Sequence, residues 1–542
     1  MDTQPMIKQG SIKNGELAAP IEGAVLQILD KHDEVLAHTQ TSESGKWKME
    51  IPESASRILV SKKGFSSKEY CPAELPELIR LLENDLLGYQ PKLWFKPGEE
   101  IEVFVHSLSP WKSTLYRHGV KKERILELGE CGAQIQELPD HWFVENGLSW
   151  ETSLTYEVPK DAKPGLYSLL LETEKQQFAI PFTVSSPSPN NRLLVLASTN
   201  NWQSYNIWGG RNRYRSFENT HSKDFSTNIP LVNHLAGKIG KRLPSSWVKN
   251  IRGFLGLPAK EKPWMFQKLS VKRPFTNCAL EDEKPEIPFT NHLAGGEWRI
   301  LAWLEREGFE YDMISGFELH QHPELLKNYD AILLSTHCEY WSKSMYYGLK
   351  EANQQHKLSI LNISGNSIYR EVDFYTDGSH RCLSLHFENS VEDETQIIGV
   401  RFNSSDYGTC APYTVKKPEH WVFEGISDIK KGTIFGKQSL NHFTPPKTGR
   451  YDPGRPGSVQ GLTGQGASGW ETDKLSKTAP ADIIKVAKGK NLWGGADMIV
   501  REPREKRGGL FSVSSITFGG ALLIDEVCSK IALNVIERFN SK

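Results

Sequence analysis

Three short, nearly unbroken apolar runs set the architecture of this chain: RLLVLAST (192–199), DAILLST (330–336) and KLSILNIS (357–364). A strand apolar on both faces has to be covered on both faces, as parallel strands between layers of helix are. Helical patterns fill the intervals. EWRILAWLEREG (297–308) sets Ile300, Trp303 and Leu304 at helical spacing and ends on a glycine; ELLKNY (324–329) and SKSMYYGLKEANQQH (342–356) follow. YDMIS (311–315) reads as a strand between the first two helices. This alternation is the grammar of a doubly wound α/β sheet, beginning near residue 190. The stretch 212–290 does not fit it and reads as an insertion, in which IPLVNHLAG (229–237) nearly recurs as IPFTNHLAG (287–295). Two copies do not make a solenoid, and they read as similar loop-to-helix junctions.

At 542 residues the chain is too long for a single core, and what precedes the α/β pattern is all β. Residues 1–72 alternate in short runs punctuated by turns, and PIEGAVLQILD, TSESGKWKMEIP and SRILVSKKGFSSKEY together resemble the carboxypeptidase-regulatory-like β-sandwich. Residues 86–186, with KPGEEIEVFVHS, SWETSLTYEVP and KPGLYSLLLETEKQQFAIPFTV, follow the pattern of an immunoglobulin-like sandwich. SSPSPNN (185–191) reads as the linker. Two β-sandwich modules followed by a doubly wound α/β domain, of flavodoxin or amidotransferase type, is therefore the expected architecture.

Lys plus Arg number 65 and Asp plus Glu 66, a balance that gives no electrostatic case for nucleic acid or an anionic membrane as partner. No stretch has the roughly 18 apolar residues of a membrane helix, and the N-terminus lacks a signal-peptide pattern. The seven cysteines are scattered, without CxxC spacing, so neither a disulfide framework nor a thiolate zinc site is expected, and the cytoplasm is the expected compartment.

In open parallel sheets, ligands bind beyond the carboxyl ends of the strands. Three unusual loops leave such ends: NNWQSYNIWGGR (200–211), HCEYWS (337–342) and GNSIYR (365–370). Turns have no need of large aromatics, so Trp202, Tyr205, Trp208 and Tyr340, with Asn366, become candidates for lining a substrate pocket. His337 and Glu339 are the candidates for its chemistry, and GASGWETDK (466–474) adds Glu471 after a glycine-rich turn. Glu339 is open to a second reading, as a cap for the helix starting near Ser342.

Taken in order, NNWQSYNIWGGR, WLEREGFEYDMIS, THCEYWS, ISGNSIY, HWVFEG, ASGWETD and GGLFSVSSITFGGALL resemble the C-terminal domain of the N,N-dimethylformamidase large (beta) subunit family, over residues 190–542. The resemblance implies a mononuclear iron hydrolase acting on an amide C–N bond of a formamide or N-acyl substrate, its metal held by two tyrosines and a glutamate. Tyr205 and Glu339 stand on matching motifs. The second tyrosine is expected near SVKRPF, where this chain has Phe275; the nearest tyrosine is Tyr214. A small second subunit is also implied, and a homo-oligomer is the other arrangement left open. Phenolate and carboxylate are hard donors suited to Fe(III). No G-x-S-x-G elbow supports a serine hydrolase. Two other readings stay open: a non-catalytic carbohydrate- or ligand-binding protein with an aromatic pocket, and an amidotransferase-like enzyme with Cys338 as nucleophile.

Overall fold

The computed structural model describes residues 6–83, 85–216, 263–278, 280, 292–441 and 465–540. The chain is mainly β, built from several sheets and few helices. The first unit is sandwich-like. A three-stranded and a four-stranded sheet enclose a core that includes Ile12, Leu26, Trp47, Ile58 and Ile79. Leu78–Leu81 pairs parallel with Met6–Asn14, which carries this unit past residue 72. The second unit sets a three-stranded sheet against a five-stranded one over Phe95, Trp111, Tyr167 and Phe182.

Downstream lies a nine-stranded mixed sheet: β1 (Leu193–Ala197), β2 (Asp312–Ser315), β3 (Ala331–Thr336), β4 (Ser359–Ser364), β5 (Tyr413–Val415), β6 (Ile434–Phe435), β7 (Ile484–Gly489), β8 (Asp497–Arg501) and β9 (Leu510–Ser512). Their order is β2-β1-β3-β4-β9-β8-β7-β5-β6. The three apolar runs are neighbours: β1 pairs parallel with β3, and β3 with β4. Successive residues face different cores, Leu193 and Val195 with Trp298 and Leu301 on one side, Leu194 and Leu196 with Met345 and Leu349 on the other.

The sheet does not support the doubly wound α/β description. Only β2, β1, β3, β4 and β9 run parallel; β8, β7, β5 and β6 join antiparallel. The connections from β7 to β8 and from β8 to β9 are the reason. Residues 490–496 and 502–509 are too few for the crossover of about a dozen that a parallel pair requires, so they form hairpin-type links.

The longer helices among the described residues are α1 (Thr199–Tyr205), α2 (Ala294–Arg306), α3 (Gly316–Gln321), α4 (Lys343–Gln355) and α5 (Glu526–Phe539). ELLKNY forms a single 3-10 stretch, Pro323–Asn328. The first NHLAG copy and most of the expected insertion lie outside the described residues; the second copy enters α2 through His292 and Leu293. Among the described residues no helix is long and apolar enough to cross a membrane, and no disulfide joins the cysteines.

Candidate active site

The carboxyl ends of β1, β3 and β4 deliver the three aromatic loops to one place. After β1 the chain turns at once into α1, whose last residue is Tyr205. Beneath it Glu297, at the start of α2, takes hydrogen bonds from Ser198 N (3.1 Å), Ser198 Oγ (2.6 Å), Trp202 Nε1 (2.6 Å) and Ser335 Oγ (3.0 Å), tying β1, α1 and β3 together. After β3, Thr336 takes the left-handed conformation (φ 50°), a strained turn for a β-branched residue, and His337 and Glu339 follow. After β4, Asn366 does the same at φ 54°.

Three oxygens meet there. Tyr205 Oη donates to Glu339 Oε2 at 3.0 Å, Tyr214 Oη donates to the same oxygen at 2.6 Å, and the two phenol oxygens are 3.0 Å apart. The tyrosine that meets Tyr205 and Glu339 is Tyr214, and Phe275 brings no oxygen to them. Phe275 is buried in the apolar core, whereas Gly209 (φ 88°) and Gly210 (φ 89°) reverse the chain and bring Tyr214 back beside Tyr205. Asn212 fastens the pair, donating to the Tyr205 carbonyl (3.0 Å) and accepting the Tyr214 N–H (2.9 Å). The signal was present in the sequence as a second tyrosine just beyond the Gly-Gly pair.

Glu339 is oriented by Arg370, whose Nε donates to Oε1 at 2.6 Å, leaving Oε2 to the phenols. Burial pushes the Glu339 carboxyl up, but Arg370 and His337 outweigh it and hold the group below the usual carboxylate range. Burial, then the Glu339 charge, pushes the Tyr214 phenol well above its ordinary pKa. His337 Nδ1 faces the Gly365 carbonyl at 2.9 Å, so Nδ1 carries the hydrogen, and Nε2 lies 2.9 Å from Tyr205 Oη and 3.8 Å from Glu471 Oε2. Burial opposes a charge on His337, yet Glu471 and Glu339 raise its pKa above the usual histidine value. Asn366 Nδ2 holds Glu471 Oε2 at 2.7 Å. Tyr205, His337, Glu339, Glu471 and Asn366 thus converge. His292, which no strand end or glycine-rich turn points to, completes the ring, its imidazole centred 4.9 Å from Tyr205, 5.5 Å from His337 and 4.5 Å from Trp470.

Other candidates lie elsewhere. Trp202 is fully buried in the core, its Nε1 donating to Glu297, and Trp208 packs with Phe143 and Trp150 of the second sandwich-like unit. Large aromatics follow a strand here because the loop is plugged into its neighbours. Tyr340 backs the site, donating to Tyr214 Oη at 2.8 Å. The cap of α4 is Ser342, which accepts the Met345 N–H, not Glu339. Cys338 donates to the Ser335 carbonyl at 3.4 Å, and burial pushes its thiol well up, the reverse of an activated nucleophile.

Among the described residues no three His, Cys, Asp or Glu side chains form a metal cluster; the oxygen-rich set relies on phenols instead. Oxygens about 2.1 Å from one ion in octahedral array sit about 3 Å apart, the spacing found between Tyr205, Tyr214 and Glu339, so these residues fit a hard trivalent or divalent cation.

The model for N,N-dimethylformamidase beta subunit-like C-terminal domains matches residues 112–530. The chain belongs to that family. The match to this dimethylformamidase-like family begins within the second sandwich-like unit and runs to α5. No curated protein matches. Solved structures with partial likeness include native alpha-2-macroglobulin of E. coli (16% identity, 34% of this chain and 12% of that one, TM-score 0.12). Salmonella alpha-2-macroglobulin reacted with methylamine gives 14%, 34%, 13% and 0.13, and the BSP domain of a biofilm associated protein 10%, 34%, 30% and 0.13. The chain spans less than a third of each, and likeness at this level bears on neither fold nor function.

Proposed function

We propose that this dimethylformamidase-like chain hydrolyses the C–N bond of a small amide, with Tyr205, Tyr214 and Glu339 holding one iron ion. The observation that carries the reading is the convergence of two phenol oxygens and one carboxylate oxygen within 2.6–3.0 Å of one another. Iron bound there would polarise an amide carbonyl and make water a better nucleophile. Arg370 fixes which oxygen Glu339 offers. His337 Nε2, between Tyr205 and Glu471, is placed to take a proton from water and return it to the leaving nitrogen. In the balanced reaction the water oxygen bonds to the acyl carbon and the C–N bond breaks. One water proton ends on the amine, leaving a carboxylic acid and an amine.

Metal analysis of the purified chain tests this, with about one iron per chain expected. Glu339→Gln keeps the shape and removes the charge, so loss of iron and of amide hydrolysis with folding intact is the expected result. A Gln variant that keeps both would sink the assignment.

A further inference from the structure

Of the charged groups around the site, Arg370 has donors to spare. Its Nε serves Glu339 Oε1 at 2.6 Å, and its backbone N–H bonds the Glu339 carbonyl at 2.9 Å. The guanidinium lies 5.6 Å from the Tyr214 ring centre and 5.5 Å from that of Tyr369. Among the described residues, Nη1 and Nη2 donate to nothing, and Glu339 is the one carboxylate in ion-pair contact with Arg370. With Nε engaged, the two terminal amines still form a planar fork that matches a carboxylate.

Tyr205, His337, Glu339 and Asn366 are 3%, 0%, 1% and 3% exposed. Tyr214, Tyr369 and Arg370 are half-buried. Arg370 is thus among the more accessible groups beside Glu339, and its terminal amines are placed to meet an anionic group.

We infer that the terminal amines of Arg370 recognise a carboxylate on the substrate, so that the substrate class is an acidic amide of the N-formyl or N-acyl amino acid kind. This rests on the amide-hydrolase reading. The dimensions agree: ordinary bond lengths put the fork within about 7 Å of Glu339 Oε2. In an N-formyl α-amino acid the formyl and carboxylate oxygens are about 5 Å apart, a span of the same order as that reach. A neutral amide of the same size would leave the fork unmet, a loss that polar recognition sites convert into strong discrimination.

The test uses the full-length protein with N-formylglycine and N-formylglycinamide as probes, compared by calorimetric binding and by kcat/KM, with iron content measured alongside. The acid is expected to be favoured by about 100-fold in kcat/KM. Arg370→Lys retains a cation for Glu339 but not the fork, so it is expected to keep its iron while the preference falls below about 10-fold. Equal binding of the two probes by the wild-type protein overturns the inference, as does a preference that survives in Arg370→Lys. Should that variant lose its iron or its fold, phenylglyoxal labelling of wild-type Arg370 decides: protection by the acid alone supports the inference, and protection by both or neither overturns it. Selective binding of the acid without hydrolysis of either probe supports the carboxylate site and removes the hydrolase reading.

Discussion

Asp473 is wholly buried, its Oδ1 accepting the Asn366 N–H at 2.9 Å and its Oδ2 meeting no donor among the described residues. Burial pushes its carboxyl from 3.8 up to about 7 against the pull of that hydrogen bond. Between those two values the folded protein keeps a proton that the unfolded chain has lost. Stability from this group is therefore full below about pH 4 and lost as pH rises through 7, a span of roughly 4 kcal/mol. Asp473→Asn is expected to flatten the dependence of unfolding free energy on pH from 4 to 7 and to be the more stable form at pH 8, read by urea unfolding across pH. Tyr214→Phe is expected to lower metal affinity at least about 100-fold, while Phe275→Tyr leaves it unchanged; the reverse result in a metal titration would restore the ligand position the sequence suggested. Tyr205, His337, Glu339, Glu471 and Asn366 were legible because each follows a recognisable strand end or glycine-rich turn. Tyr214 showed only as a tyrosine beyond the Gly-Gly pair, its place at the site depending on a chain reversal, and His292 did not show at all, because it is brought there by packing between elements distant in sequence.

Among the elements, the loop joining the two phenols is tightly specified. A Cβ on Gly210 would meet the Ala18 Cβ at 2.5 Å, and one on Gly209 would meet Val144 at 2.8 Å, with both backbones left-handed. Gly210→Ala is expected to cost about 2–4 kcal/mol, conformational strain plus overpacking, and to lower metal affinity with it. Gly64, also left-handed but with nothing within 4 Å, is the control, and its Ala variant is expected to cost about 1 kcal/mol and to leave metal affinity unchanged. Denaturant unfolding with metal titration distinguishes the two. At this scale the strands β1, β3 and β4 declared themselves through runs apolar on both faces. β5 to β8 did not, since Tyr413–Val415 and Ile434–Phe435 are too short to show a period, and a mixed sheet was read as a wound one.

For the whole molecule, the sandwich-like units and the mixed sheet are joined by buried polar contacts. Arg117 of the second unit pairs with Glu305 of α2, Tyr311 Oη donates to the same carboxylate at 3.0 Å, and Trp298 Nε1 donates to the Gly119 carbonyl at 2.7 Å. Removing the carboxylate leaves a mostly buried guanidinium with only a long ion pair, 3.9 Å, to the exposed Glu123. Glu305→Ala is thus expected to destabilise the chain by about 3–5 kcal/mol and to split a single unfolding transition into two, seen by calorimetry.

Gly209 donates its N–H to the Glu16 carbonyl at 2.6 Å, and Gly210 sits against Ala18, so the loop carrying the two phenols is moulded on residues made well before it. At ribosomal speeds of about 5–20 residues per second, the first sandwich, complete at Leu81, has roughly 7–27 s to fold before Tyr214 is made. The nascent chain thus meets its template ready formed. A chain diluted out of denaturant has no such head start, and its recovery of metal binding should lag behind its recovery of β structure.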